Sequence, residues 1–140
     1  MISFANQDCD FILKRKTEVK TWIRTILIEE GGKPGELAYI FCSDAYLLGL
    51  NLKYLKHKTL TDIITFDYSE KGRISGDIFI SIDRVRENAL KYSKSFEEEL
   101  GRVMAHGALH LSGYEDKTAE QESGMRMLEE KYLPAFPNLK

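Results

Sequence analysis

Apolar positions in this chain recur with two periods, and the switches between them outline alternating strands and helices. Ile2-Ser3-Phe4 reads as a short first strand. From Thr17 to Ile28, Val19, Trp22, Ile23, Ile26 and Leu27 return at the spacing of one helical face, and Gly31-Gly32-Lys33-Pro34-Gly35 stops that helix. Glu36 to Cys42 reads as a second strand. Ser43-Asp44 then supplies an N-cap for a second helix on which Tyr46, Leu47, Leu50 and Tyr54 share a face. Two β-rich runs, Asp62 to Tyr68 and Gly76 to Ile82, flank a polar turn containing Gly72 and pair as antiparallel strands.

Helical spacing takes over for the remainder. Asp83 to Tyr92 forms a third helix. A fourth starts at Ser95, with Glu98 at the capping-box position, and runs through Met104 to about Leu111, where Gly113 stops it. The last helix has Thr118 as N-cap with Gln121 three residues on, carries Met125, Leu128 and Tyr132, and closes at Pro134. The order βαβαββααα predicts an α+β fold, a small mixed sheet packed with helices. With no repeat, linker or low-complexity stretch, residues 1–140 read as one domain.

Composition narrows the class without naming a function. Hydrophobic residues make up 43% and charged residues 30%, the balance of a folded soluble chain. No run approaches the roughly 18 apolar residues of a membrane span, and the opening residues lack a basic segment followed by an apolar one. A cytoplasmic location without membrane contact is the expectation. Cys9 and Cys42 lie far apart in no CxxC pair and read as free thiols. The net charge of −2 excludes a bulk polycation, yet basic residues slightly outnumber acids in 1–94 while acids dominate 95–140. That asymmetry allows a basic face on the first part, as a polyanion binder needs.

Chemistry concentrates in His106-Gly107-Ala108-Leu109-His110-Leu111-Ser112-Gly113-Tyr114-Glu115-Asp116. Residues four apart on a helix are separated by only about 40° around its axis, so His106 and His110 point to one side and can share a divalent cation. Gly113 can take a left-handed backbone and turn the chain so that Asp116 reaches the same cation as third ligand. Glu115 and His57 are the fallback ligands. Asp116 has a simpler reading too, as a carboxylate at the N-terminus of the last helix, and the histidines one as a solvated surface pair. The spacing H-x3-H-x2-G-x2-D is that of the metzincin zinc site, whose three ligands leave a position open for water. Zinc proteases of the HExxH type place a glutamate base directly after the first histidine, where this chain has Gly107.

These residues also resemble a known family. The YbeY-type endoribonucleases, single-strand-specific and metal-dependent, carry HGxLHLxGYDH, and this chain matches from His106 through Tyr114. Leu50-Asn51-Leu52-Lys53-Tyr54 with Thr61-Asp62-Ile63-Ile64-Thr65-Phe66 is similar to a second family block, and Gly76-Asp77-Ile78-Phe79-Ile80 to a third. The resemblance implies a zinc-dependent endoribonuclease of rRNA maturation and ribosome biogenesis, with single-stranded rRNA as substrate and the ribosome or small-subunit proteins as partners. It implies His106, His110 and Asp116 as metal ligands, with His106, Asp62 and Asp116 as the catalytic set.

Two departures stand out. Asp116 replaces the family's third histidine, and Leu55 replaces the arginine that follows the family's tyrosine. Lys53, Lys56, Lys58 and Arg73 are then the residues expected to contact RNA phosphate, with charge but, for the lysines, no bidentate fork. Tyr54 and Tyr114 are candidates to stack an unpaired base, though core packing is the simpler role for each. Asp62 and Asp77 sit at strand starts, where carboxylates often cap backbone N–H groups. Met125 and Met127 read as core fillers. The rival functions are a metallopeptidase or amidase, and a ribosome-associated binding module with a structural metal.

Overall fold

A computed structural model describes residues 1–55 and 61–139. The elements follow the predicted order: β1 (Ile2–Gln7), α1 (Lys16–Glu29), β2 (Lys33–Cys42), α2 (Asp44–Leu50), β3 (Ile63–Asp67), β4 (Arg73–Ser81), α3 (Ile82–Lys91), α4 (Phe96–Leu111) and α5 (Ala119–Tyr132). The sheet order is β1-β2-β4-β3. The first three are mutually parallel and β3 runs antiparallel to β4, with Ile63 opposite Ile80 and Asp67 opposite Gly76. This is the mixed α+β sheet expected, and it leaves β1 and β3 as edges.

The two faces of the sheet bury different helices. Tyr39, Phe41, Ile78 and Ile80 project toward α1 and α4 and pack with Val19, Ile23, Leu27, Val103, Met104 and Leu109 in the main core. Cys42 and Ile64 project to the other side, where Leu47 of α2 covers them beside Phe66 and Phe79. Burying large apolar side chains at roughly 25 cal/mol per Å² drives both layers together. Tyr39, fully buried, donates its hydroxyl to the Met104 carbonyl at 2.8 Å and so ties the central strand to α4 beside its histidines.

Local chemistry sets the boundaries. Ser43, Ser81, Ser95 and Thr118 each accept a backbone N–H at a helix start, and Thr118 with Gln121 completes a reciprocal capping box. β2 begins at Lys33 instead of Glu36, because a register shift between Pro34 and Leu37 accommodates the proline. α2 ends at Leu50 and widens into a π turn, Asn51–Leu55. The expected shared face therefore breaks. Tyr54 is exposed and meets Phe66 edge-on at 5.5 Å between ring centroids. Met125 is buried as expected, but Met127 faces solvent. Both cysteines are free, and burial pushes the Cys42 thiol up to about 12. No described helix is long and apolar enough to cross a membrane.

Candidate metal centre and active site

Arg102, His106 and His110 follow one another at four-residue spacing on α4 and line a cleft of about 730 Å³. The opposite wall is β3 with the residues before it, Thr61 to Thr65, while Asn51 and Leu55 of the π turn close one side. Gly107 lies on the other flank of α4, against the sheet. A Cβ there would stand 2.9 Å from Ile78 Cγ2 and 3.0 Å from Ile63 Cδ1, so close packing of helix on sheet requires glycine.

Beyond α4, Gly113 adopts φ +110°, and the Gly113 and Tyr114 amides cap the carbonyls of His110 and Leu109. This left-handed break turns the chain back. It brings Asp116 Oδ2 to 3.3 Å from His106 Nε2.

Each histidine is held from behind through Nδ1. The His106 Nδ1 lies 2.7 Å from Glu129 Oε2, a buried carboxylate of α5. The His110 Nδ1 lies 3.1 Å from the Tyr114 carbonyl, which can only accept, so Nδ1 carries the proton. A hydrogen bond from Nδ1 to a backbone carbonyl is the arrangement found behind imidazoles that bind metal through Nε2. Burial disfavours a charged His106, but the Glu129 hydrogen bond and the charges of Glu129, Asp116 and Asp62 outweigh it and make the ring more basic than usual. Metal binding through His106 would therefore release a proton.

Arg102 knits this layer together. It forms a two-pronged pair with buried Glu99 at 2.6 and 3.0 Å, reaches Glu129 at 3.3 Å and approaches Asp62 at 3.6 Å. Paired this fully, buried carboxylates are tolerated. Asp62 also lies 3.5 Å from Asn88 Nδ2. Burial raises its pKa above the ordinary carboxylate value, against the opposing pull of Arg102 and His106.

Among the described residues no three His, Cys, Asp or Glu side chains form a complete ligand cluster. The donors nevertheless suit a cation. Two ligands of one tetrahedral zinc, with bonds of about 2.0–2.1 Å, stand about 3.3 Å apart. Asp116 and His106 have that separation, and His110 follows one turn later on the same wall.

The other expected site residues fall in several places. Asp62 lines the cleft, as does Leu55 at the position where the resemblance expects arginine. Lys53 does not line it; its ammonium sits 5.1 Å above the Tyr54 ring. Arg73 opens β4 beside Glu70, outside the lining. Glu115 pairs with Lys117 at 3.9 Å, and Lys56, His57 and Lys58 lie outside the described residues. Tyr114 donates its hydroxyl to Glu30 at 2.6 Å, tethering the loop that carries Asp116 to the end of α1.

Sequence reasoning missed Arg102, Lys117, Glu129 and Glu30. Arg102 had a signal, since it precedes His106 by the same four-residue step that separates the histidines. Glu129 follows Met125 by four, a charge on the apolar stripe of α5.

The family model described as endoribonuclease YbeY matches residues 2–137. The chain belongs to the YbeY endoribonuclease family. An endoribonuclease YbeY of Flavobacterium psychrophilum is 50% identical over 136 residues, covering 97% of this chain and 96% of that protein. One of Cytophaga hutchinsonii is 50% identical over 133 residues, covering 94% and 93%. Among solved structures, the solution structure of a Thermotoga maritima protein superposes with a TM-score of 0.68 at 26% identity, covering 97% of this chain and 89% of that one. The YbeY match thus spans both cleft walls and the α5 helix that carries Glu129.

Proposed function

We propose that this YbeY-family chain is a cytoplasmic metal-dependent endoribonuclease that cleaves single-stranded RNA, with rRNA in company with the ribosome as its working substrate. The observation that carries the reading is the file of His106 and His110, each fixed through Nδ1, with Asp116 brought to 3.3 Å of the first. His106, His110 and Asp116 would hold the cation, zinc by ligand type. When bound, it supplies positive charge to a scissile phosphate and acidifies water, whose pKa at zinc can fall to about 7.

The chain's own groups do the rest. Glu129 and the Tyr114 carbonyl keep both imidazoles aimed into the cleft. Asp62, on the facing wall and less acidic than an ordinary carboxylate, accepts the proton of the attacking water. Arg102 limits its swing. Lys117, largely exposed at the cleft margin, offers charge to the RNA backbone, and Lys53 offers more from beyond the π turn.

Peptide hydrolysis is the weaker reading for a packing reason. The glutamate that serves zinc proteases would occupy position 107, where even a Cβ collides with Ile78. The test is a defined single-stranded RNA incubated with metal-loaded protein, with chelator, and with His110→Ala. Cleavage only by the loaded wild type is expected; equal cleavage in all three, or none, ends the proposal.

A further inference from the structure

Residues 61–65 line the cleft, and among the described residues β3 is an edge strand. Its pairing with β4 alternates. At one end the Ser81 amide donates to the Asp62 carbonyl at 2.9 Å, and at the other the Tyr68 amide donates to the Ser75 carbonyl at 2.9 Å. In an antiparallel pair such narrow pairs fall on every second residue. With the observed register, Ile64 and Phe66 turn their backbone groups to β4, and Ile63 and Thr65, both of which line the cleft, turn theirs away from β4 to the outer edge of the sheet. The Ile63 carbonyl is met by the Thr61 hydroxyl at 3.3 Å. Thr65 presents both an N–H donor and a C=O acceptor, side by side.

β3 also passes directly over the metal-binding helix. Ile63 Cδ1 lies 3.0 Å from where a Gly107 Cβ would be, between the two histidines in sequence, and Thr65 lines the same cleft as His106, His110 and Asp116. A strand cut at that centre would pass between α4 and this wall. Adjacent donor and acceptor groups are what the pairing edge of a nucleobase also carries. In a duplex that edge is occupied by the partner base.

We propose that the Thr65 backbone N–H and C=O hydrogen-bond the pairing edge of an unpaired base next to the scissile phosphate, so that the open edge of β3 selects single-stranded RNA. This deepens the endoribonuclease reading and rests on it. The main chain reads the base, so no side chain of conspicuous chemistry marks the subsite in the sequence. An extended peptide is the other polymer that can add to a strand edge, and the test separates the two.

The experiment follows backbone amide exchange in the metal-loaded full chain, alone and with a phosphorothioate-linked single-stranded RNA that resists cleavage, the corresponding duplex, or an extended peptide. The Thr65 amide should exchange readily in the free protein and slow at least about tenfold with the single strand only, one hydrogen bond being worth about that factor. Thr65→Pro removes this donor without touching a β4 bond, and should raise KM on RNA about tenfold with kcat within about twofold. Thr65→Val keeps the amide, and that amide should still be slowed by the single strand and not by the duplex. RNA that is bound and cut while the Thr65 amide is unprotected overturns this inference and leaves the endoribonuclease reading standing. Protection by peptide alone overturns it in favour of a peptide site. RNA neither bound nor cut removes both readings.

Discussion

Glu129 Oε2 lies 2.7 Å from Nδ1 of His106, and this contact joins the C-terminal helix to the histidine-bearing face of α4. Glu129 is buried while His106 is half-buried at the cleft, and Arg102 holds the other oxygen of Glu129 at 3.3 Å. The position of His106, the first of the proposed ligands, is therefore set by residues outside the proposed ligand set.

Glu129→Gln tests that dependence. The amide keeps the volume but loses the charge that orients and enriches the imidazole. Metal affinity measured by competition with a chromogenic chelator should fall about 10–100-fold, the usual cost of losing such a partner. Unchanged affinity would reduce Glu129 to a packing role.

Gly107→Ala should destabilise the protein although alanine favours helix. Its Cβ would stand 2.9 Å from a branched Ile78 methyl on a buried strand, and overpacking of this kind costs about 1–3 kcal/mol. Urea denaturation measures the loss. Gly107→Glu should cost more and confer no peptidase activity on casein.

Leu55→Arg restores the guanidinium that the family motif carries and places it on the cleft wall, where Leu55 is half-exposed. Cleavage of single-stranded RNA should quicken. The slope of log affinity against log salt should steepen by about one phosphate contact. A faster rate with no change in slope would point away from phosphate contact.

Glu30 governs an acid-side stability effect. It accepts the hydroxyls of Tyr114 and Tyr132 and lies near Lys131. Burial alone would raise its pKa, but the two hydroxyls and Lys131 outweigh it, and the folded value lies below the ordinary 4.5. A depressed folded pKa stabilises the protein above the ordinary value, and this contribution is lost as pH falls through the folded one. The stability difference between wild type and Glu30→Gln should hold near neutrality and shrink in thermal melts below about pH 4.5. A constant difference across that range would exclude ionised Glu30 as its source.

Much of this architecture was legible because it rests on short-range rules. Helical spacing placed α1 and α4, caps at Ser43, Ser95 and Thr118 marked helix starts, and the i, i+4 histidines with Gly113 pointed to the cleft proposed as the site. The π turn escaped because one widened turn leaves no mark in an apolar period, so Tyr54 was set on a buried face that it does not share. Glu129, Arg102 and Glu30 escaped for a different reason. Their roles depend on α1, α4 and α5 meeting in space, and a charge on an amphipathic helix reads as solvated until its neighbour is known. The strand edge at Thr65 escaped because backbone groups are the same at every position and only the register with β4 turns them to the outer edge of the sheet.

The most direct test is a metal titration of stripped protein with single-stranded RNA cleavage followed at each addition. The rate should rise with bound metal and saturate at one equivalent per chain, and Asp116→Ala should require far more metal for the same occupancy. Full cleavage by stripped protein, or saturation without any cleavage, would contradict a catalytic cation on His106, His110 and Asp116.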